Sequence, residues 1–351
     1  MNFLPNALLM TRLLTSVFIL LLAASFCEAQ EFSKVGTGSA QFLKIDVGAR
    51  SVALGGAYVA MADDIFSMYW NPAGVARLTR KSAGASYKNY IAGLNHNYVG
   101  LVLPLGETNG LGFHAIFMST DPIEITTIEQ PRGTGTFYEY SNLAIGGSYA
   151  RWMTDRLTLG ATVKFVRESI YRESAKTLAF DIGSLFDTGI LGIRLGMSLS
   201  NFGSSMRMDG PDIDTIVDTD TRNEGNRNTP SRLRTLDWSL PLIFRMGVRL
   251  DLLGGLNPHF KNERNRLTAA VAINDPLDNN LRTNYGLEYE WKRLVTLRAG
   301  YYGNYDTNTL GLTLGSGLNF NLGGKLFIID YAYQDFGILE SVHQYSIKLE
   351  L

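Results

Sequence analysis

Two adjacent carboxylates, Asp63 and Asp64, follow Arg50 in a small-residue-rich stretch near the start of the chain. Paired carboxylates can do acid–base work or hold a metal ion. At the head of an apolar run they more often accept hydrogen bonds from the free N–H groups of a helix start. Arg50 can then pair with one of them as a structural pin. The four histidines, His96, His114, His259 and His343, stand singly, without the His-x-x-x-His spacing that presents two rings to zinc. Leu54-Gly55-Gly56-Ala57 lacks the Lys-Ser/Thr of a phosphate loop, and no Gly-x-Ser-x-Gly elbow offers a nucleophile. A net charge of −1 leaves no nucleic-acid footprint. The chain is therefore expected to carry no catalytic residue, no metal and no cofactor, and not to be an enzyme.

The remaining charges fall into a pattern. Leu281, Thr283, Tyr285, Leu287, Tyr289 and Trp291 share one face of an extended segment, while Arg282, Asn284, Gly286, Glu288, Glu290 and Lys292 share the other. Residues 238–251 alternate in the same way, with Trp238, Leu240, Leu242, Phe244, Met246, Val248 and Leu250 opposite a face that carries Arg245 and Arg249. At the end of the chain, Tyr345, Ile347, Leu349 and Leu351 oppose Ser346, Lys348 and Glu350. Arg245, Arg249, Arg282, Glu288, Glu290, Arg298 and Lys348 thus read as one charged wall facing away from the apolar side.

Several of these segments exceed the roughly 5–6 residues usual for a soluble strand. They match tilted strands crossing a bilayer in about 9–11 residues. About fourteen candidates lie near 82–93, 95–105, 111–119, 136–152, 157–168, 177–187, 191–203, 236–252, 265–274, 281–292, 294–304, 309–321, 325–335 and 343–351. Aromatics near segment ends (Trp152, Trp238, Trp291, Tyr301, Tyr302) suit an interfacial girdle. The fold class predicted is all-β, a transmembrane antiparallel β-barrel of about 14 strands.

Connections after odd-numbered strands are long (120–135, 169–176, 204–235, 275–280, 336–342), and those after even-numbered strands are mostly short (106–110, 153–156, 188–190, 322–324). Long extracellular loops and short periplasmic turns give this parity, with both ends of the chain periplasmic. The stretch 253–264 is long on the wrong side and raises the question of a miscounted strand.

Export is written at the N-terminus. Arg12 precedes the apolar run 13–24, which is too short to span a bilayer and about right for a signal-peptide core. Cys27 and Ala29 occupy the −3 and −1 positions of a cleavage site. The bulky Phe26 argues against Cys27 as a lipid attachment point. Cleavage removes the only cysteine, and with it any disulfide. The domains expected are a signal peptide over 1–29, a plug over 30–81 and a barrel over 82–351.

Residues 30–81 lack the strand alternation. Asn71-Pro72 is a helix start, with Asn as the cap and Pro in the first turn. Together with a start at Asp63 or Asp64 it predicts two short helices, packed through glycines into a lumen. The run GARSVALGGAYVAMADDIFSMYWNPAGVARL resembles the N-terminal signature of the PorV/PorQ family, within the wider FadL-like group of outer-membrane barrels. Residues 330–339 and 343–347 resemble the closing two strands of that family. The resemblance implies a fourteen-stranded barrel with a small N-terminal α-helical hatch in its lumen. It places the hatch motif at Asn71, Pro72, Ala73 and Gly74, alongside Arg50, Asp63 and Asp64. The final Leu351 departs from the aromatic end of many barrels.

The group implies two roles. The leading expectation is passage of hydrophobic small molecules across the outer membrane, which needs an apolar cavity behind the hatch and a side opening at a kinked wall strand. The alternative is a non-conducting type IX secretion accessory that binds secreted cargo through loops such as 204–235. Expected partners are the lipid bilayer and lipopolysaccharide, the barrel-assembly machinery, and either a hydrophobic ligand or a protein cargo.

Overall fold

The computed structural model describes residues 36–217, 229–255, 258–303 and 311–351. The signal peptide expected over 1–29, the first residues of the expected plug, and part of the 204–235 loop lie outside the described residues.

Alternation of apolar and polar side chains gives each long segment one face for lipid and one for the interior, and the segments pair as strands. They are β1 (Ser82–Asn89), β2 (Asn95–Leu105), β3 (Asn109–Ser119), β4 (Tyr140–Trp152), β5 (Leu157–Ile170), β6 (Glu173–Asp187), β7 (Ile193–Gly203), β8 (Ile243–Leu253), β9 (Asn265–Pro276), β10 (Arg282–Trp291), β11 (Val295–Tyr302), β12 (Leu312–Leu322), β13 (Lys325–Asp335) and β14 (Ser341–Glu350). Each pairs antiparallel with its sequence neighbour. β1 closes the ring against β14, with Ser82 opposite Glu350 and Asn89 opposite His343. The barrel has the expected fourteen strands.

The outer face is apolar and exposed, as at Phe113, Ile145, Val163, Ile182, Val248, Leu287 and Ile347. The inner face is polar and buried, as at Thr162, Arg249, Glu288, Asp330 and Lys348. No helix among the described residues is long and apolar enough to cross a membrane. The crossing is made by strands.

Several details differ from expectation. Residues 236–241 do not join the wall; β8 starts at Ile243, paired with Ser200. Pro241 has no N–H to give the ladder and stops the strand there. Leu240 consequently turns inward and is buried, while Trp238 pairs with Met206 in the loop. The expected loop 169–176 is mostly strand, because β5 and β6 continue to a tight hairpin at Tyr171-Arg172. Two of the expected girdle aromatics face inward. Trp152 donates from Nε1 to the carbonyl of Ala76 at 2.9 Å, and the Tyr302 hydroxyl bonds Asp46. Tyr301 and Tyr302 are adjacent in a strand, so only one of them can face lipid. Among its described residues the long turn between β8 and β9 holds no further strand. It is held by Gly254 N–H to the Phe260 carbonyl at 2.9 Å and Phe260 N–H to the Leu252 carbonyl at 3.0 Å.

Ahead of β1 the chain is turn-rich. It contains 3-10 turns at Gln41–Lys44 and Pro72–Arg77 and two single-turn helices, α1 (Ala49–Ala53) and α2 (Ser67–Trp70). This stretch hydrogen-bonds to inner-face groups of strands all round the ring, including Tyr98 on β2, Ser184 on β6, Ser198 on β7, Glu288 on β10, Thr313 on β12 and Ser346 on β14. A segment touching every side of a closed barrel occupies its lumen.

Its direction was not foreseen. Ser39 N–H bonds the carbonyl of Ser239 at 3.0 Å, and Lys44 pairs with Asp278 at 3.0 Å; both partners lie in loops of the long-loop end. Farther along, Arg77 pairs with Asp187 at 2.7 Å, at the short-turn end of β6. The barrel proper begins and ends at the short-turn end. The described chain starts at the opposite mouth and descends through the lumen to reach β1.

Candidate functional site: the filled lumen

The plug owes its close seat to glycines on the inner wall. A Cβ added to Gly160 or Gly300 would fall inside the backbone of Pro72 or Leu54-Gly55, so the main chains meet there almost directly. Within the plug, Asn71 is fully buried and does two jobs. Its Oδ1 accepts from Ala73 N–H at 3.2 Å and caps the Pro72–Arg77 turn, while its Nδ2 donates to the carbonyls of Val59 and Ser184 at 3.0 and 2.9 Å. Pro72 fills the first position of that turn, and Ala73 and Gly74 are buried behind it.

Arg50, Asp63 and Asp64 anchor two charge networks. In the first, Arg50 Nε lies 2.8 Å from Glu288, and Arg298 Nε lies 2.7 Å from the same carboxylate. Arg298 also reaches Asp330 at 2.8 Å; Lys348 then bridges Asp330 and Asp64, each at 3.0 Å. Asp64 returns to Arg50 at 3.6 Å. Six groups of alternating sign thus close a ring that is neutral overall, two of them from the plug and four from the wall. In a low-dielectric interior such balance is what makes buried charges tolerable.

The second network starts where Arg50 Nη1 meets Asp63 at 2.7 Å. Asp63 also meets Arg249 at 3.2 Å, and Arg249 pairs with Asp251 at 3.0 Å. Arg194 ties Asp187 at 2.7 Å, and Asp187 holds Arg77 of the plug. Burial alone would raise the Asp63 carboxyl, but Arg50, Arg249 and Arg194 outweigh it and hold Asp63 below the ordinary carboxylate range.

The helix-start role expected of the carboxylate pair is a minor part of what it does. Asp64 Oδ1 accepts from Phe66 N–H at 3.0 Å, while α2 itself has no side-chain cap.

The expected wall residues divide. Arg249, Glu288, Arg298 and Lys348 enter the networks. Arg245 sits instead over the rings of Tyr69 and Trp70, at 5.3 and 5.2 Å, a cation–π clamp on α2. Arg282 and Glu290 are half-buried and lie outside the ring. Asp187, Arg194, Asp251, Arg266 and Asp330 went unnoticed in the sequence as site residues; their inward phase on the strands was the signal available. The histidines stay apart: His96 and His114 are buried on the inner wall, His343 bonds Tyr331, and His259 packs on Phe260. Among the described residues no group of three His, Cys, Asp or Glu stands close enough to share a metal ion.

At the long-loop end, described residues of the loop between β7 and β8 pack onto the plug. Met206 and Leu240 of that loop belong to one apolar cluster with Phe42, Val59, Tyr69 and Trp70 of the plug and Ile116, Ala144 and Val166 of the wall. The transport expectation calls for a kinked wall strand without placing it, and the ring stays hydrogen-bonded all the way round. β1 to β4 pair without a register break, from Asn89 opposite Asn95 to Ser119 opposite Ser141. Register breaks, the places where such a kink could fall, are at Phe180–Ile182 of β6 and Asp251–Leu253 of β8.

The family model described as type IX secretion system protein PorV matches residues 28–222, more than half of the chain. No curated protein matches the sequence. Among solved structures, the chain is similar to the Pseudomonas putida toluene transporter TodX, with 12% identity and a TM-score of 0.53, over 87% of this chain and 97% of that one. The Ralstonia pickettii toluene transporter TbuX gives 12% and 0.52 over 87% and 97%, and the CymD monoaromatic hydrocarbon channel 12% and 0.52 over 87% and 96%. At this identity the likeness is one of fold.

Proposed function

The chain belongs to the PorV family, and from that premise we propose that it is a closed, non-conducting outer-membrane barrel that presents its extracellular loops to secreted protein cargo. The observation that carries this reading is the filled lumen. From Arg77 at the periplasmic end to Met206 and Leu240 at the mouth, plug, wall and loop form one packed unit, and the charge ring bolts the plug to the wall. A barrel without a path has its outer loops left as the working surface. The largest of these is the connection between β7 and β8, with its two-stranded hairpin of Asp214–Val217 and Thr229–Arg232. The role is one of binding rather than catalysis.

Passage of hydrophobic small molecules draws its support from the resemblance in fold to the toluene transporters, and one fold hosts many functions. Two measurements separate the readings. Proteoliposomes should take up toluene no faster than protein-free liposomes, and planar bilayers should show no added conductance. The purified protein should retain secreted cargo bearing the type IX C-terminal signal, and deletion of 207–237 should abolish that retention. Specific toluene uptake with cargo retention unaffected by the deletion would overturn the proposal in favour of transport.

A further inference from the structure

Arg167 on β5 and Lys176 on β6 stand directly opposite each other on the lipid-facing side of the wall, and both are exposed. Like charges in direct cross-strand opposition repel. Among the described residues neither makes an ion pair, a hydrogen bond or a ring contact. Of the acids on the same two strands, Glu168, Glu173 and Asp181 are buried on the inner face, and Asp187 lies at the other end of β6, paired with Arg77 and Arg194. A pair of cations kept on a lipid-facing wall calls for an anion from outside the chain.

Its height says which one. From Leu157 to Arg167 the strand climbs about 33 Å along its length at about 3.3 Å per residue. At a tilt of about 40° that is about 25 Å of height, the span of an outer-membrane apolar band. The pair therefore lies at the extracellular edge of the hydrocarbon layer, where headgroup phosphates sit.

The surrounding wall is graded to match an amphiphile. One register below the pair, Ile145, Phe165 and Leu178 run in line across β4, β5 and β6. One register above, Ser119, Ser141, Ser169 and Ser174 align across β3 to β6 as a row of hydroxyls. These small side chains leave a depression of about 360 Å³, bordered by Phe117, Leu143 and Arg167. Apolar wall, cations and hydroxyls thus follow one another from membrane to water.

We propose that this face of β3–β6 binds the phosphorylated glucosamine headgroup of lipid A in the outer leaflet. The phosphate sits between Arg167 and Lys176, the sugar lies against the serine row, and the acyl chains lie on Ile145, Phe165 and Leu178. Guanidinium and ammonium groups both bind phosphate, and partial removal from water strengthens the contact.

The test is native mass spectrometry of the full mature protein in detergent, with purified bisphosphorylated lipid A as the probe. Wild type should hold lipid A, and R167Q/K176Q should bind at least about tenfold more weakly, with each single variant between. R167K/K176R and K292Q/R293Q, the latter altering a cation pair at a periplasmic turn, should bind like wild type. Dephosphorylated lipid A should bind wild type as poorly as lipid A binds R167Q/K176Q. Excess inorganic phosphate should not displace lipid A. Equal binding by R167Q/K176Q, displacement by inorganic phosphate, or equally tight binding of phosphatidylglycerol would overturn the proposal. A heat-modifiable gel band confirms that each variant is folded before it is compared.

Discussion

Replacing Arg50 with Met tests whether the charge ring keeps the lumen shut. The substitution leaves Glu288 with one cationic partner, Arg298, and leaves Asp64 with Lys348 alone. Removing one partner of a buried pair costs about 3–5 kcal/mol, because the remaining charge stays desolvated. Asp63 is partly exposed and keeps Arg249, so the lower end of that range applies. At about 3 kcal/mol, the population with a displaced plug rises about a hundredfold. Since the fourteen strands keep their hydrogen bonds, the barrel should still fold and show a heat-modifiable band. Single-channel recording in planar bilayers should then show openings that wild type lacks. R50M/E288Q removes the stranded charge and should regain part of the closed state, with a coupling of about 1–3 kcal/mol in a double-mutant cycle. A folded R50M barrel as silent as wild type would refute the idea that the ring, rather than apolar packing, seats the plug.

Three other outcomes follow from the same geometry. Gly300→Val drives a side chain into Leu54-Gly55 and should cost more than the about 1–3 kcal/mol of ordinary overpacking, read as loss of the heat-modifiable form. Because the Asp63 carboxyl is held below its ordinary value of about 3.9, its contribution is complete at neutral pH and is lost only as pH falls below that value. Conductance should accordingly stay flat from pH 7 to 5, and openings that begin in that window would contradict the assignment. Thr37→Cys, exposed at the mouth, should react with an impermeant maleimide on intact cells; labelling only after permeabilisation would reverse the orientation of the segment.

The wall was legible in the sequence because lipid and lumen impose opposite demands on alternate residues. That is why Glu288 and Leu287, or Lys348 and Ile347, could be assigned to faces from their order alone. Strand ends were harder to place, since Pro241 broke a pattern that alternation continued on both sides. Trp152 and Tyr302 failed as girdle residues for a related reason. An aromatic near a strand end satisfies an interface and a plug equally well, and only its phase tells which. Five of the six ring residues, Arg50, Asp64, Glu288, Arg298 and Lys348, stood out in the sequence, but Asp330 looked like any other acid in a strand. Ring closure depends on which strands the plug faces, and no local pattern encodes that. The descent of the plug from the outer mouth was hidden as well, because its anchors, Ser239 and Asp278, lie far along the chain.

That descent bears on the order of assembly. Residues 39–44 are tied to loops between β7 and β8 and between β9 and β10, yet the same stretch lies inside a hoop that only the β1–β14 seam completes. The contacts of Ser39 and Lys44 can form only once β7 to β10 and their loops are in place, so the outer end of the plug is seated late in folding.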